Sequence, residues 1–210
     1  LMCIVGKENR GVAFAPDRSA VNWDTTIWVI HDAAGYSEEE PDSYRGHFSI
    51  IIVPGADQVY YVQGQWSAEE LLNDSTTLES CGGNVGIGPA ILVARRAMSK
   101  HPKSDIIEAY DSKSSVGALI RLGCRSIPLS AQMQRRGTIW SQLGPGRRLY
   151  LFWFPRELNQ ICDAGSKGDM ALVHKLLRER GLPPLAPSPE QPTHPPVFGP
   201  LHGEAFAQEQ

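Results

Sequence analysis

Two apolar runs, Gly46 to Val53 and Gln58 to Gln63, flank the short turn-forming segment Pro54-Gly55-Ala56-Asp57. Strand-like runs joined this closely read as an antiparallel hairpin, so a sheet frames whatever else the chain builds. Three more runs are short and rich in β-branched and aromatic residues: Ile27-Trp28-Val29-Ile30, Ile106 to Tyr110, and Leu149 to Phe154, the last stopped by Pro155. Each predicts a strand. Between and after them the period turns helical. Ser75 to Lys100 spaces Leu78, Val85, Ile91, Leu92 and Met98 for one buried face, although its glycines and Pro89 make it a poor intrinsic helix. Ser112 to Leu122 does the same with Val116, Leu119, Ile120 and Leu122. Pro128 to Leu143 opens with proline in its first turn, and Glu157 to Arg180 is a helix interrupted around Gly165 and Gly168. Strands alternating with helices after an initial hairpin predict an α/β domain with a five-stranded mixed sheet flanked by helices.

The ends of the chain read differently. Residues 1–26 carry little periodicity and are broken by Gly6, Gly11 and Pro16, which predicts an extension or linker. After Gly181 the prolines at 183, 184, 187, 189, 192, 195, 196 and 200 are expected to exclude helix and sheet, leaving residues 182–210 as a disordered arm. The domain is therefore expected over 27–181, and a first residue Leu1 suggests a piece of something longer. No apolar run approaches the roughly 20 residues of a membrane span, and no charged-then-apolar leader opens the chain. Cys3, Cys81, Cys124 and Cys162 lack disulfide or zinc spacing, so reduced thiols in a cytoplasmic or nuclear protein are expected. The formal charge of -3 is not that of an electrostatic nucleic-acid binder. Arg121, Arg125, Arg135, Arg136, Arg147 and Arg148 crowd one segment, however, and cations held by acids would make the local field more positive.

The acids themselves fall at particular places. Asp32 ends the first strand, Glu79 opens the long helix, Asp111 ends the fourth strand, and Asp163 lies early in the last helix. If the first and fourth strands are parallel neighbours, Asp32 and Asp111 stand side by side with two helix starts facing them. Four convergent carboxylates repel one another unless cations sit between them, and an all-oxygen ligand set suits magnesium or manganese better than zinc. Each acid also has an ordinary reading. Asp32 could cap a turn, Glu79 could answer the helix dipole, Asp111 could cap the following helix, and Asp163 could be solvated. Asn159 could cap the last helix. His31 is expected as a packing or surface residue, His47 as a core histidine, and the tryptophans as core.

The motifs resemble those of the ribonuclease H family, especially the domains that follow reverse transcriptases in retroelements. His31-Asp32-Ala33-Ala34-Gly35-Tyr36 resembles the first-strand motif, and Thr77-Leu78-Glu79 the helix start that supplies a glutamate. Ala109-Tyr110-Asp111-Ser112 resembles the fourth-strand motif, and the run from Pro155 to Asp163 the closing segment. The matching region runs from about Ile27 to Arg180. It departs from the family in Gly82, Gly83, Gly86 and Gly88, and in lacking a histidine before the last helix. The resemblance implies a ribonuclease H-like fold and a hydrolase that cuts the RNA strand of RNA–DNA hybrids with two Mg2+ or Mn2+ ions. It implies Asp32 as the bridging ligand, with Glu79, Asp111 and Asp163 completing the site, and Asn159, Arg156 and Ser112 facing substrate. A reverse transcriptase domain in the same polyprotein would be its neighbour. The alternative is an inactive domain of this fold serving as a structural or interaction module. Proofreading exonucleases, another class of metal nuclease, carry a second acid two residues after the first, where Ala34 stands here.

Overall fold

The computed structural model describes residues 25–40, 43–97, 105–121, 125–141 and 148–189. Its elements run β1 (Ile27–Ala33), β2 (Gly46–Ile52), β3 (Val59–Gln65), α1 (Ser75–Ala97), β4 (Ile106–Tyr110), α2 (Lys113–Arg121), α3 (Ile127–Ser141), β5 (Leu149–Trp153), α4 (Gln160–Ser166), α5 (Met170–Glu179) and β6 (Leu185–Pro187). The sheet order is β5-β4-β1-β2-β3-β6. β1 pairs antiparallel with β2 and parallel with β4, so the expected neighbours do meet. This is the α/β class and mixed sheet that the sequence predicts, with two corrections. β1 continues past Ile30 through Asp32 and Ala33, because both pair with β2, opposite Phe48 and His47. The sheet has six strands, because Leu185-Ala186-Pro187 pairs in parallel with β3.

That sixth strand overturns the expectation that proline excludes sheet from 182 onward. β6 is an edge strand, where a proline's missing N–H need not cost a ladder bond. Pro184 O accepts from Val59 N at 2.9 Å and Ser188 N donates to Tyr61 O at 2.8 Å, while Leu182 and Leu185 pack against the core beneath α4 and α5. Residues 190–210 of the expected arm, and 1–24 of the expected extension, lie outside the described residues.

Strand alternation sends side chains to two different cores. On one face Ile27, Val29, Ile51, Val62 and Ile106 pack with Val85, Ile87 and Ile91 of α1 and with Leu129, Met133 and Trp140 of α3. On the other, Phe48, Ile50 and Val59 pack with Ile161, Cys162, Ala164, Val173 and Leu177 of α4 and α5. The glycines that weaken α1 as an isolated helix form its contact face. A Cβ on Gly82 would stand 2.9 Å from the Cβ of His47, and one on Gly83 would meet Arg136 at 2.6 Å. One on Gly86 would stand 2.6 Å from the His31 ring, whereas Gly88 has open space around it. The break after α4 comes at Gly168, whose φ of +78° suits a residue without a Cβ. Asp169 then caps α5 by accepting from Leu172 N at 2.9 Å.

Two outcomes follow for stability. Gly88→Ala should gain up to about 1 kcal/mol from helix propensity, whereas Gly86→Ala should lower the thermal midpoint because α1 must lift off the sheet. Ending the chain at Gly181 should remove about 2 kcal/mol of strand pairing and packing, lowering the midpoint by roughly 4–8 °C. Thermal melts followed by circular dichroism check both, and an unshifted midpoint on truncation would show β6 to be dispensable.

Candidate metal centre

Asp32, Glu79 and Asp111 come from β1, α1 and the end of β4, and each brings a carboxylate oxygen within 4.8 Å of the other two. They line a cleft of about 180 Å³ with Ala33, Ser75, Ser112 and Arg156. The parallel pairing of β1 with β4 sets Asp32 beside Asp111, and the packing of α1 on β1 lowers Glu79 onto them. Glu79 Oε2 accepts from the Ala33 amide at 3.1 Å, while its Oε1 is buried without a hydrogen-bond partner. Asp32 is buried as well, and Ser166 Oγ of α4 donates to its Oδ2. Asp111 is half-buried and forms the open side of the group. Ser112 does cap α2, since its Oγ accepts from Ser115 N at 3.1 Å, and it also stands on the cleft wall.

Asp163 does not join this group. Arg156 and Lys167 hold its two oxygens at 3.0 and 2.8 Å, so the expected fourth ligand is engaged by cations of its own neighbourhood. Asn159 departs from expectation too. It is buried, it makes no capping bond with its side chain, and its amide donates to His31 O at 2.9 Å. A hydrogen bond from Asn159 also favours the charged form of Asp111. Asn159 therefore ties α4 to the ends of β1 and β4.

The electrostatics show what the group lacks. Burial, reinforced by the charges of Asp111 and Asp163, raises Asp32 to about 7 against the opposing Ser166 bond and Arg156. Burial, followed by Asp32 and Asp111, raises Glu79 well above its ordinary value. Burial raises Asp111 as well, with Asn159 and Arg156 opposing. Burial also acts on Asp163, but hydrogen bonds from Lys167 and Arg156 outweigh it and hold that carboxyl low. Three acids within ligand reach, two of them buried and one with an unpartnered oxygen, make a donor set suited to a hard divalent cation. The residues present fit the ions that the family resemblance implies.

A further buried acid, outside this group, was missed in the sequence. Glu108 of β4 is fully buried and receives hydrogen bonds from Arg136 of α3 and from the Tyr110 hydroxyl. His31 Nε2 lies 3.2 Å from it, and His31 Nδ1 lies 2.7 Å from Ser49 Oγ. The signal was an acid in the middle of an otherwise apolar strand, which must find a partner. Arg136 is thus a core residue, and Arg148 pairs with Asp105 at 2.8 Å, so the two do not stand in a shared basic patch. Ser166 was also missed. It shares one helical face with Asn159 and Asp163 at intervals of four and three residues, the only trace it leaves in the sequence.

No protein-family model and no curated protein matches the sequence. Among solved structures, the chain is similar to an N-terminal RNase H domain from Mycobacterium tuberculosis, at 18% identity and a TM-score of 0.48, covering 72% of this chain and 99% of that one. It is similar to RNase H1 of the halophilic archaeon Halobacterium salinarum at 15% identity and a TM-score of 0.44, covering 70% and 98%. It is also similar to LC11-RNase H1, solved in complex with an RNA/DNA hybrid, at 13% identity and a TM-score of 0.46, covering 70% and 99%. These likenesses concern the fold, and no residue's role follows from them.

In the presence of a chelator, the folded protein binds more protons than the unfolded chain between the ordinary Asp32 value of 3.8 and its folded value of about 7. Stability contributed by that group is therefore lost as pH rises through this window. The thermal midpoint of the metal-free protein should fall from about pH 5 to about pH 8. Asp32→Asn should flatten that slope and melt higher at the upper end, and equal slopes would show that the carboxylates are not in conflict.

Proposed function

We propose that this chain is a divalent-metal-dependent nuclease that cuts the RNA strand of RNA–DNA hybrids. The observation that carries the reading is the convergence of Asp32, Glu79 and Asp111 from three distant segments into one cleft, with Glu79 Oε1 left unpartnered. The order and form of the four sequence motifs support the ribonuclease H type of reaction and a retroelement polyprotein as its setting, with a reverse transcriptase domain as covalent neighbour. Hybrid preference would rest on the 2′-hydroxyls of the RNA strand. Among the described residues no helix is long and apolar enough to cross a membrane.

Asp32, Glu79 and Asp111 would hold Mg2+ or Mn2+, which when bound supplies Lewis acidity toward a phosphodiester. Asp32, buried at the end of β1 between the other two elements, would be the ligand shared by two ions, as the family resemblance implies. Asp111, on the open side, faces the direction from which a strand would enter. Arg156 stands at the cleft with its side chain mostly exposed, so its guanidinium can meet a phosphate once it exchanges Asp163 for the substrate. That exchange would free one oxygen of Asp163, the other remaining with Lys167, to complete the ligand set. Ser112 presents its hydroxyl to the same cleft.

The test is incubation of labelled hybrid with the protein and Mg2+ or Mn2+, beside single- and double-stranded RNA. Asp32→Asn and Asp111→Asn should lower hybrid cleavage by orders of magnitude while the variants stay folded. Glu38→Gln, in the acidic loop, should cut like the parent. Equal cutting by Asp32→Asn would overturn the assignment. A folded parent that cuts nothing with either ion would favour the interaction-module alternative, for which the engagement of Asp163 by Arg156 and Lys167 is the supporting observation.

A further inference from the structure

Ser166 lies at the last residue of α4 and is fully buried, yet it is not needed to end the helix. Backbone amides do that: Lys167 N donates to Ala164 O at 3.2 Å, Gly168 N to Gly165 O at 3.0 Å, and Asp169 N to Ala164 O at 2.9 Å. A buried helical serine ordinarily satisfies itself by bonding back to its own helix, and Asp163 O is indeed 3.0 Å from Ser166 Oγ. The hydroxyl has one proton, however, and its closer contact is Asp32 Oδ2 on the neighbouring strand. That nearer contact directs the hydroxyl to Asp32, and a cation at the site, by ionising the carboxylate, would make it the stronger acceptor.

The chain is shaped to bring this about. Asp32 and Phe48 are partners across β1 and β2. Gly165, the residue before Ser166, lies so close to the Phe48 ring that a Cβ there would overlap it. Only a glycine lets α4 approach the sheet far enough for the next residue to reach Asp32. With Oδ2 engaged, the carboxylate cannot turn freely, and it is held where one of its oxygens lies within 4.8 Å of those of Glu79 and Asp111.

We propose that Ser166 is a positioning residue that fixes the plane of the Asp32 carboxylate for divalent-cation binding, an inference that rests on the metal-centre reading above. It acts through Asp32 and touches neither ion nor substrate. Partners that orient a metal ligand typically alter affinity by about 10- to 100-fold when removed.

The experiment is a calorimetric titration of the whole protein with Mn2+, with thermal melts in chelator and steady-state cleavage of hybrid alongside. Ser49→Ala is the comparison, since Ser49 is an equally buried hydroxyl that faces His31, on the opposite side of the sheet from Ser166. Ser166→Ala should weaken Mn2+ binding by about tenfold and lower kcat while leaving KM for the hybrid near the parent value. Ser49→Ala should change the melting point and leave Mn2+ affinity near the parent. If both variants weaken Mn2+ alike, or if Ser166→Ala binds it as the parent does, the positioning role is wrong. Should Ser166→Ala not fold, Ser166→Cys carries the test: its weaker donor should give an intermediate affinity, and parent affinity would overturn the role. A parent that binds no Mn2+ would overturn the metal centre itself, an outcome distinct from a parent that binds while Ser166 proves indifferent.

Discussion

Glu108 is a carboxylate with no access to water, placed in the middle of a central strand, and the fold is organised around keeping it charged. Burial alone would push it up, but Arg136, His31 and Tyr110 outweigh burial and hold it at about 2. Arg136 is fully buried as well, and it completes its donors on Asn84 of α1, the Tyr110 hydroxyl and Ser80 O. A pair of this kind is costly to bury and still more costly to leave half-made, so it ties its elements together. The elements are β1, β4, α1 and α3. The glycines of α1 follow from it, because Gly83 and Gly86 lie directly over Tyr110, Arg136 and His31, where any Cβ would displace the network.

The same arrangement sets up the candidate metal centre. Locking β1 against β4 brings Asp32 and Asp111 together, and seating α1 on glycine faces puts Glu79 within reach of both. Glu79 and Glu108 then make an instructive pair. Both are buried glutamates, yet Glu79 is pushed well up and Glu108 is pulled down. Glu108 is surrounded by the Arg136 guanidinium, His31 and the Tyr110 hydroxyl, whereas Glu79 stands beside the acids Asp32 and Asp111. The protein supplies the counter-charge for Glu108 from its own core, whereas among the described residues the cation at the Asp32, Glu79 and Asp111 cleft is the exposed Arg156 at the rim. Uncompensated buried charge is the physical basis for assigning that cleft to a cation from solution.

On the opposite face α4 performs the complementary task. Asn159 reaches the β1 backbone and Asp111, and Ser166, seven residues on, reaches Asp32. Asp163 lies on the same face between them but is drawn to Arg156 and Lys167, both mostly exposed or partly so. Exposed ion pairs are weak. The interactions that hold Asp163 away from the group therefore cost little to exchange.

Local chemistry in the sequence determined most elements and three of the site residues. β-branched runs fixed β1 to β5, helical spacing fixed α1 to α3, and Asp32, Glu79 and Asp111 were legible because acids at strand ends and helix starts are conspicuous against apolar neighbours. What it could not determine were interactions whose partners lie far along the chain. Leu185-Ala186-Pro187 has no strand signature, and it is a strand only because the edge of β3 offers it unpaired groups. The α1 glycines look like weakness until the sheet beneath them is known. Asp163 is engaged by Arg156 and Lys167, and Asn159 by the β1 backbone, because the reach of a cation and the burial of an amide are decided by packing. Ser166 became significant only when Gly165 let two elements approach, 134 residues apart in sequence, to hydrogen-bond distance. Periodicity is local and survives in sequence, whereas the pairing of buried charges and hydroxyls is a property of the tertiary structure alone.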